Sequence, residues 1–79
     1  MNITIDYFNS EVCQFRKLMG DKAFWTKTPE QRQIAIDGLT YVYLNLSNST
    51  QEEINHAAIT LDSTLTEYTK RESMLKLYS

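Results

Sequence analysis

Apolar residues in the first quarter of the chain recur at spacings of three and four. Ile5, Phe8, Val12, Phe15 and Met19 fall on one helical face, with polar residues between them. The spacing predicts a helix from about Thr4 to Met19, and Gly20 follows where a left-handed C-terminal cap residue is expected. A rival pattern takes Ile3, Ile5 and Tyr7 as an alternating strand, with Ser10 capping a shorter helix. Such a strand needs a second segment to pair its backbone.

Residues Asp21 to Lys27 read as a connector that carries Ala23-Phe24-Trp25. Two adjacent aromatics there either plug the end of a core or stand as an exposed anchor for a partner, since Trp is favoured at interface hot spots. Thr28-Pro29-Glu30-Gln31 then gives the clearest local signal. Thr caps, Pro fits the first helical position where its missing N–H costs nothing, and Gln three residues on completes a capping box. This start predicts a second helix over 29–46. The stretch Ile34 to Tyr43 also reads as a hairpin turning at Asp37-Gly38. The capping box and the 3.6-residue apolar period favour the helix. After a loop at Ser47-Asn48-Ser49-Thr50, either Ser49 with Glu52 or Thr50 with Glu53 forms another capping box. A third helix over 51–76 follows, with Ile54, Ala57, Ala58, Leu61, Leu65 and Tyr68 on one face. Short connections favour antiparallel neighbours. The expectation is an all-α, three-helix bundle with helices at roughly 4–19, 29–46 and 51–76, in one domain spanning 1–79.

The second helix has more apolar surface than a bundle core needs. On a helical wheel Ala35, Ile36, Leu39, Val42, Tyr43 and Leu46 make one stripe, while Ile34, Tyr41 and Leu44 lie roughly opposite. In the third helix Ile59 points away from the Leu61 face, with Met74 and Leu77 in the same rear sector. Apolar patches of this kind tend to mark binding sites. Ile34, Tyr41, Leu44, Ile59 and Trp25 are therefore the candidate protein-interface residues.

Composition sharpens this picture. The chain has 79 residues, and a domain of that size buries only roughly 60% of the surface its unfolded form exposes. Cys13 is the single cysteine, so no disulfide within the chain compensates. A partner chain is then a natural source of stability. Glycine and proline number only two and one, which agrees with helices rather than a turn-rich β fold. No run approaches the roughly 20 apolar residues that cross a bilayer, and Met1-Asn2-Ile3-Thr4-Ile5-Asp6 shows no signal-peptide pattern. A cytoplasmic protein without a membrane partner is expected, and the sequons at Asn2, Asn45 and Asn48 read as chance.

The formal net charge of −2 argues against direct nucleic-acid binding, which needs a basic footprint. No Lys or Arg occurs between Arg32 and Lys70, whereas Asp37, Glu52, Glu53, Asp62 and Glu67 all do. That interval reads either as solvated surface or as an acidic face for a basic partner, such as a larger protein with a nucleic-acid-binding surface. A helix-turn-helix reading would place Glu52, Glu53, Asp62 and Glu67 against phosphates, which is repulsive.

Catalytic and metal chemistry finds little support. His56 is the only histidine, and zinc sites need three or four ligands. Cys13 falls near the polar back of its helix with Arg16 and Lys17 one turn on, but a nucleophile also needs a base and an oxyanion site. Glu52 and Glu53 are adjacent and so diverge on a helix. Neither a cofactor nor enzymatic activity is expected. Leu61-Asp62-Ser63-Thr64-Leu65-Thr66-Glu67-Tyr68-Thr69-Lys70 resembles the Leu-Asp-x-x-Leu-x-x-Tyr end of the small helical-hairpin aspartyl-phosphate phosphatases of sporulation control. The match spans about an eighth of the chain, much of it is amphipathic spacing, and Ala58 stands where that family carries Ser. It implies a role for Asp62 alone. In size and acidity the chain is also similar to phage and mobile-element inhibitors, including anti-defence proteins. The expectation is a small regulator or inhibitor that covers part of a larger protein, with a homodimeric or ligand-sequestering module as the alternative.

Overall fold

A computed structural model describes residues 3–78. The elements in chain order are α1 (Ile5–Met19), α2 (Lys22–Trp25), α3 (Pro29–Leu44) and α4 (Gln51–Tyr78). The fold is all-α. The expected three helices are present, and the connector adds a fourth of a single turn.

Each start is fixed by a side chain that answers an orphan backbone N–H. Thr4 Oγ1 accepts from the Tyr7 amide, so α1 starts where its spacing predicts. The capping box at α3 is complete, with Thr28 and Gln31 exchanging side-chain and backbone bonds at 3.2 and 3.1 Å. At α4 the choice falls to Thr50 and Glu53, whose reciprocal bonds measure 3.1 and 2.9 Å.

Three helix ends differ from expectation. Gly20 is right-handed, with φ −85°, rather than a left-handed cap. The helix instead unwinds through the i→i−3 bonds Gly20 N–H to Lys17 O and Asp21 N–H to Leu18 O. Asp21 then caps α2 directly, its carboxylate accepting from the Ala23 amide. Next, α3 ends at Leu44, two residues early, because Leu46 leaves the helix to form a parallel bridge with Ile3. The strand-like start of the chain thus survives as that one bridge, reinforced by Ser47 N–H donating to Ile3 O at 2.9 Å. Asn48 takes the left-handed turn, φ 57°, that a non-glycine residue adopts most readily when it is Asn. Finally, α4 runs on to Tyr78. At 1.5 Å per residue its 28 residues span about 42 Å, which accounts for the 44 Å long axis of the molecule.

The core gathers the α1 stripe Phe8, Val12, Phe15 and Met19 with Leu39 and Val42 of α3, Ala57, Leu61 and Tyr68 of α4, and Ile3 and Phe24. Asp37-Gly38 lies inside α3, which is continuous across it, so the hairpin alternative does not occur. Four threonines back-bond to the carbonyl one turn earlier. One of them, Thr64, is fully buried and also accepts from Arg16. Among the described residues no helix is long and apolar enough to cross a membrane.

Replacing Thr28 with Ala removes one capping bond while leaving the core intact. We expect a loss of about 1 kcal/mol in urea unfolding, read as a lower midpoint at unchanged slope.

Candidate functional site

The core stripe of α3 leaves the other side of the helix in water. Leu39 and Val42 are buried and Ala35, Ile36 and Tyr43 are packed against the core, yet Ile34, Tyr41 and Leu44 are 72%, 62% and 71% exposed. These three share the outer side of α3, the residues at i, i+7 and i+10 drifting by less than a quarter turn. Ile59 is 70% exposed on α4.

Beside the α3 face runs a groove of about 310 Å³ between α1 and α3. Tyr7, Glu11, Phe15 and Leu18 form its α1 wall, and Ala35, Gly38 and Leu39 its α3 wall. Tyr7 and Leu18 are themselves exposed large side chains. Gly38 lies between Ile34 and Tyr41 on the helix surface, four residues after one and three before the other. A Cβ built at Gly38 would meet nothing within 4 Å. Internal packing therefore gives no reason for a glycine in mid-helix, where it costs about 1 kcal/mol relative to Ala.

Trp25 is placed differently from the other expected interface residues. Its indole N–H donates to Met19 O at 2.7 Å, and its ring stacks on Tyr68 with centroids 5.5 Å apart and packs edge-on to Phe24. It is the plug of the two alternatives, partly buried and held by its own chain. Its remaining edge lines a second recess, about 250 Å³, with Arg71, Met74 and Leu75. Arg71 joins Trp25 in donating to the Met19 carbonyl, so two donors close the end of α1.

The five carboxylates of the basic-free interval do not make one open face. Glu67 is paired with both Arg16 and Arg71. Glu53 is bound in its capping box, and Asp37 accepts from Gln33 at 2.9 Å. Glu52 and Asp62 are exposed on α4, ten residues and about 80° apart around its axis. Cys13 and His56 are exposed, and Arg16 turns from the cysteine's helix toward Glu67 and Thr64. Asn45 of the second sequon donates its side-chain amide to Tyr41 O, and Asn2 lies outside the described residues. Among the described residues no group of three His, Cys, Asp or Glu could hold a metal ion.

One polar cluster has no simple sequence signal. Arg32 is only 5% exposed, under the plug. Its Nε donates to Tyr68 Oη at 3.1 Å, Nη2 to Glu72 at 3.3 Å and Nη1 to Lys27 O, and its guanidinium carbon lies 5.4 Å from the Trp25 ring centroid. Tyr68 Oη in turn donates to Glu72 at 2.9 Å. The Tyr68 hydrogen bond, aided by Arg32, holds the Glu72 carboxyl below its ordinary value against the effect of burial. Burial, with Glu72 nearby, pushes the Tyr68 phenol up. The Tyr68 bond also raises the pKa of Arg32, which stays charged. The cluster clamps α3 to α4 and is structural.

Comparison of the chain with protein-family models, curated proteins and solved structures gives no significant match.

Two expectations follow. Gly38→Ala should stabilise the free chain by about 0.5–1 kcal/mol in urea unfolding, because the added methyl meets no neighbour and improves helix propensity. A loss of stability would contradict the open space over Gly38. The Glu72–Tyr68 pair should shape stability against pH at both ends. A depressed carboxyl stabilises the fold above its ordinary value near 4.5 and ceases to as pH falls through the lower folded value. A raised phenol stabilises below about pH 10 and ceases to as pH rises through the higher folded value. Unfolding free energies across pH should therefore fall away at both limbs, and Glu72→Gln should flatten the acid limb. An acid limb unchanged by that substitution would contradict the assignment.

Proposed function

We propose that this chain is a small, non-enzymatic protein-interaction module that binds a larger protein through the outer side of α3 and so occludes it, as a regulator or inhibitor does. The observation that carries the reading is the pair Ile34 and Tyr41, large apolar side chains left mostly in water beside a groove. Covering two such side chains contributes on the order of 3–5 kcal/mol before association costs, enough for the centre of a modest interface. Leu44 extends the same surface. Ile59 on α4 is a separate contact in this reading, and Trp25 supports the end of the bundle.

A homo-oligomeric module is the second reading. The exposed Met74 and Leu77 on α4 favour it, the latter 81% exposed. Sedimentation at micromolar concentration separates the two, with a monomer expected.

In the host extract, tagged wild-type chain should retain a set of proteins that Tyr41→Glu and Ile34→Glu lose and that the exposed control Cys13→Ser keeps. Both glutamate variants should unfold within about 0.5 kcal/mol of wild type, since they alter surface positions. Identical retained sets would contradict the assignment of α3, as would a tight dimer insensitive to Tyr41→Glu.

A further inference from the structure

The chemistry of the α1–α3 groove narrows what can occupy it. The charged residue in its lining is Glu11. On the rim formed by the outer side of α3, Glu30 and Asp37 flank Ile34 at the preceding and following turns, and both are exposed. The cations of these two helices are directed elsewhere. Arg32 is buried toward Tyr68 and Glu72, Arg16 reaches Glu67 on α4, and Lys17 lies on the wheel opposite the Phe8 face of α1. The groove is thus apolar along its floor and acidic at its edges.

Gly38 adds a steric condition. It leaves a bare stretch of α3 backbone between two large apolar side chains, with open space above it. A flat face would suit a loose contact, but a groove with a bare backbone notch in its α3 wall admits the ridge of another helix at close range. A second copy offering the same face would bring Glu11, Glu30 and Asp37 against their own equivalents, which is repulsive.

We propose that the groove receives an amphipathic helix of a partner protein, its apolar ridge seated over Gly38 between Ile34 and Tyr41 and its polar edges carrying lysine or arginine. This rests on the α3 docking reading and supplies the occupant. The partner's cations meet Glu11 on one side and Glu30 and Asp37 on the other, so attraction to the groove weakens with added salt.

Two synthetic helical peptides test this, sharing one leucine stripe and differing only in lysine or glutamate at the polar edges. The full chain is titrated with each and followed through its backbone amide resonances. The lysine peptide should shift Gly38, Leu18 and Tyr41, and the glutamate peptide should leave them in place. Affinity for the lysine peptide should fall a few-fold in Gly38→Ala, although that variant is the more stable chain. It should fall roughly tenfold, about 1.4 kcal/mol, in Gly38→Leu and in the Glu11→Lys, Asp37→Lys pair. Shifts confined to α4 or the Trp25 recess would overturn the proposal, as would the lysine peptide leaving every amide in place. An equal response to the glutamate peptide in the groove would overturn the charge assignment and leave α3 as a docking face. Shifts at Leu18 and Tyr41 that follow the chain's own concentration and vanish in Gly38→Leu would make the occupant a second copy, and overturn it as well.

Discussion

A helix in a three-helix bundle has neighbours over little more than one side, and this limit governs the molecule. α1 meets it, with its large apolar side chains mostly on the Phe8–Phe15 face and polar residues behind. α3 does not. Its apolar residues spread around the axis, so burying Leu39 and Val42 leaves Ile34, Tyr41 and Leu44 in water. No rotation of α3 would remove the mismatch, because turning the outer residues inward would expose the present core stripe.

The ends of the bundle are held by polar groups in addition to the buried Phe24 and Ile3. At one end Trp25 and Arg71 converge on the Met19 carbonyl, while Arg32, Tyr68 and Glu72 lock α3 to α4 beneath the tryptophan. A buried arginine is tolerated only because carboxylate, phenol and carbonyl oxygens all accept from it, and losing one partner typically costs several kcal/mol. At the other end a bridge between Ile3 and Leu46 fastens the start of α1 to the loop after α3. The α1–α3 groove therefore lies along a framework fixed at both ends, which keeps Gly38 and its flanking side chains in register.

Much of this was readable from residue order. Period and capping boxes located all three long helices, and the wheel of α3 separated buried from exposed apolar positions correctly, since both depend only on local geometry. What escaped was non-local. Nothing near Arg32 in sequence says that Tyr68 and Glu72, 36 and 40 residues away, will receive it. The groove likewise depends on how α1 and α3 are spaced, so Gly38 read as a turn signal when it is an exposed part of the groove's α3 wall. The basic-free interval suggested a continuous acidic surface, whereas tertiary pairing with Arg16 and Arg71 occupies Glu67, and local bonds engage Glu53 and Asp37. Trp25 was legible as one of two possibilities, and only the position of Met19 O decides between them.

The outer side of α3 is open to water in the free chain. Solvent paramagnetic relaxation at the Ile34 methyls, the Gly38 amide and the Tyr41 ring, measured with a soluble gadolinium chelate from micromolar to millimolar protein, tests this directly. Strong enhancement at all three, independent of concentration, is the predicted result. Protection as deep as that of Phe8 and Leu39, at any concentration, would show that the chain already covers this face and would contradict the account.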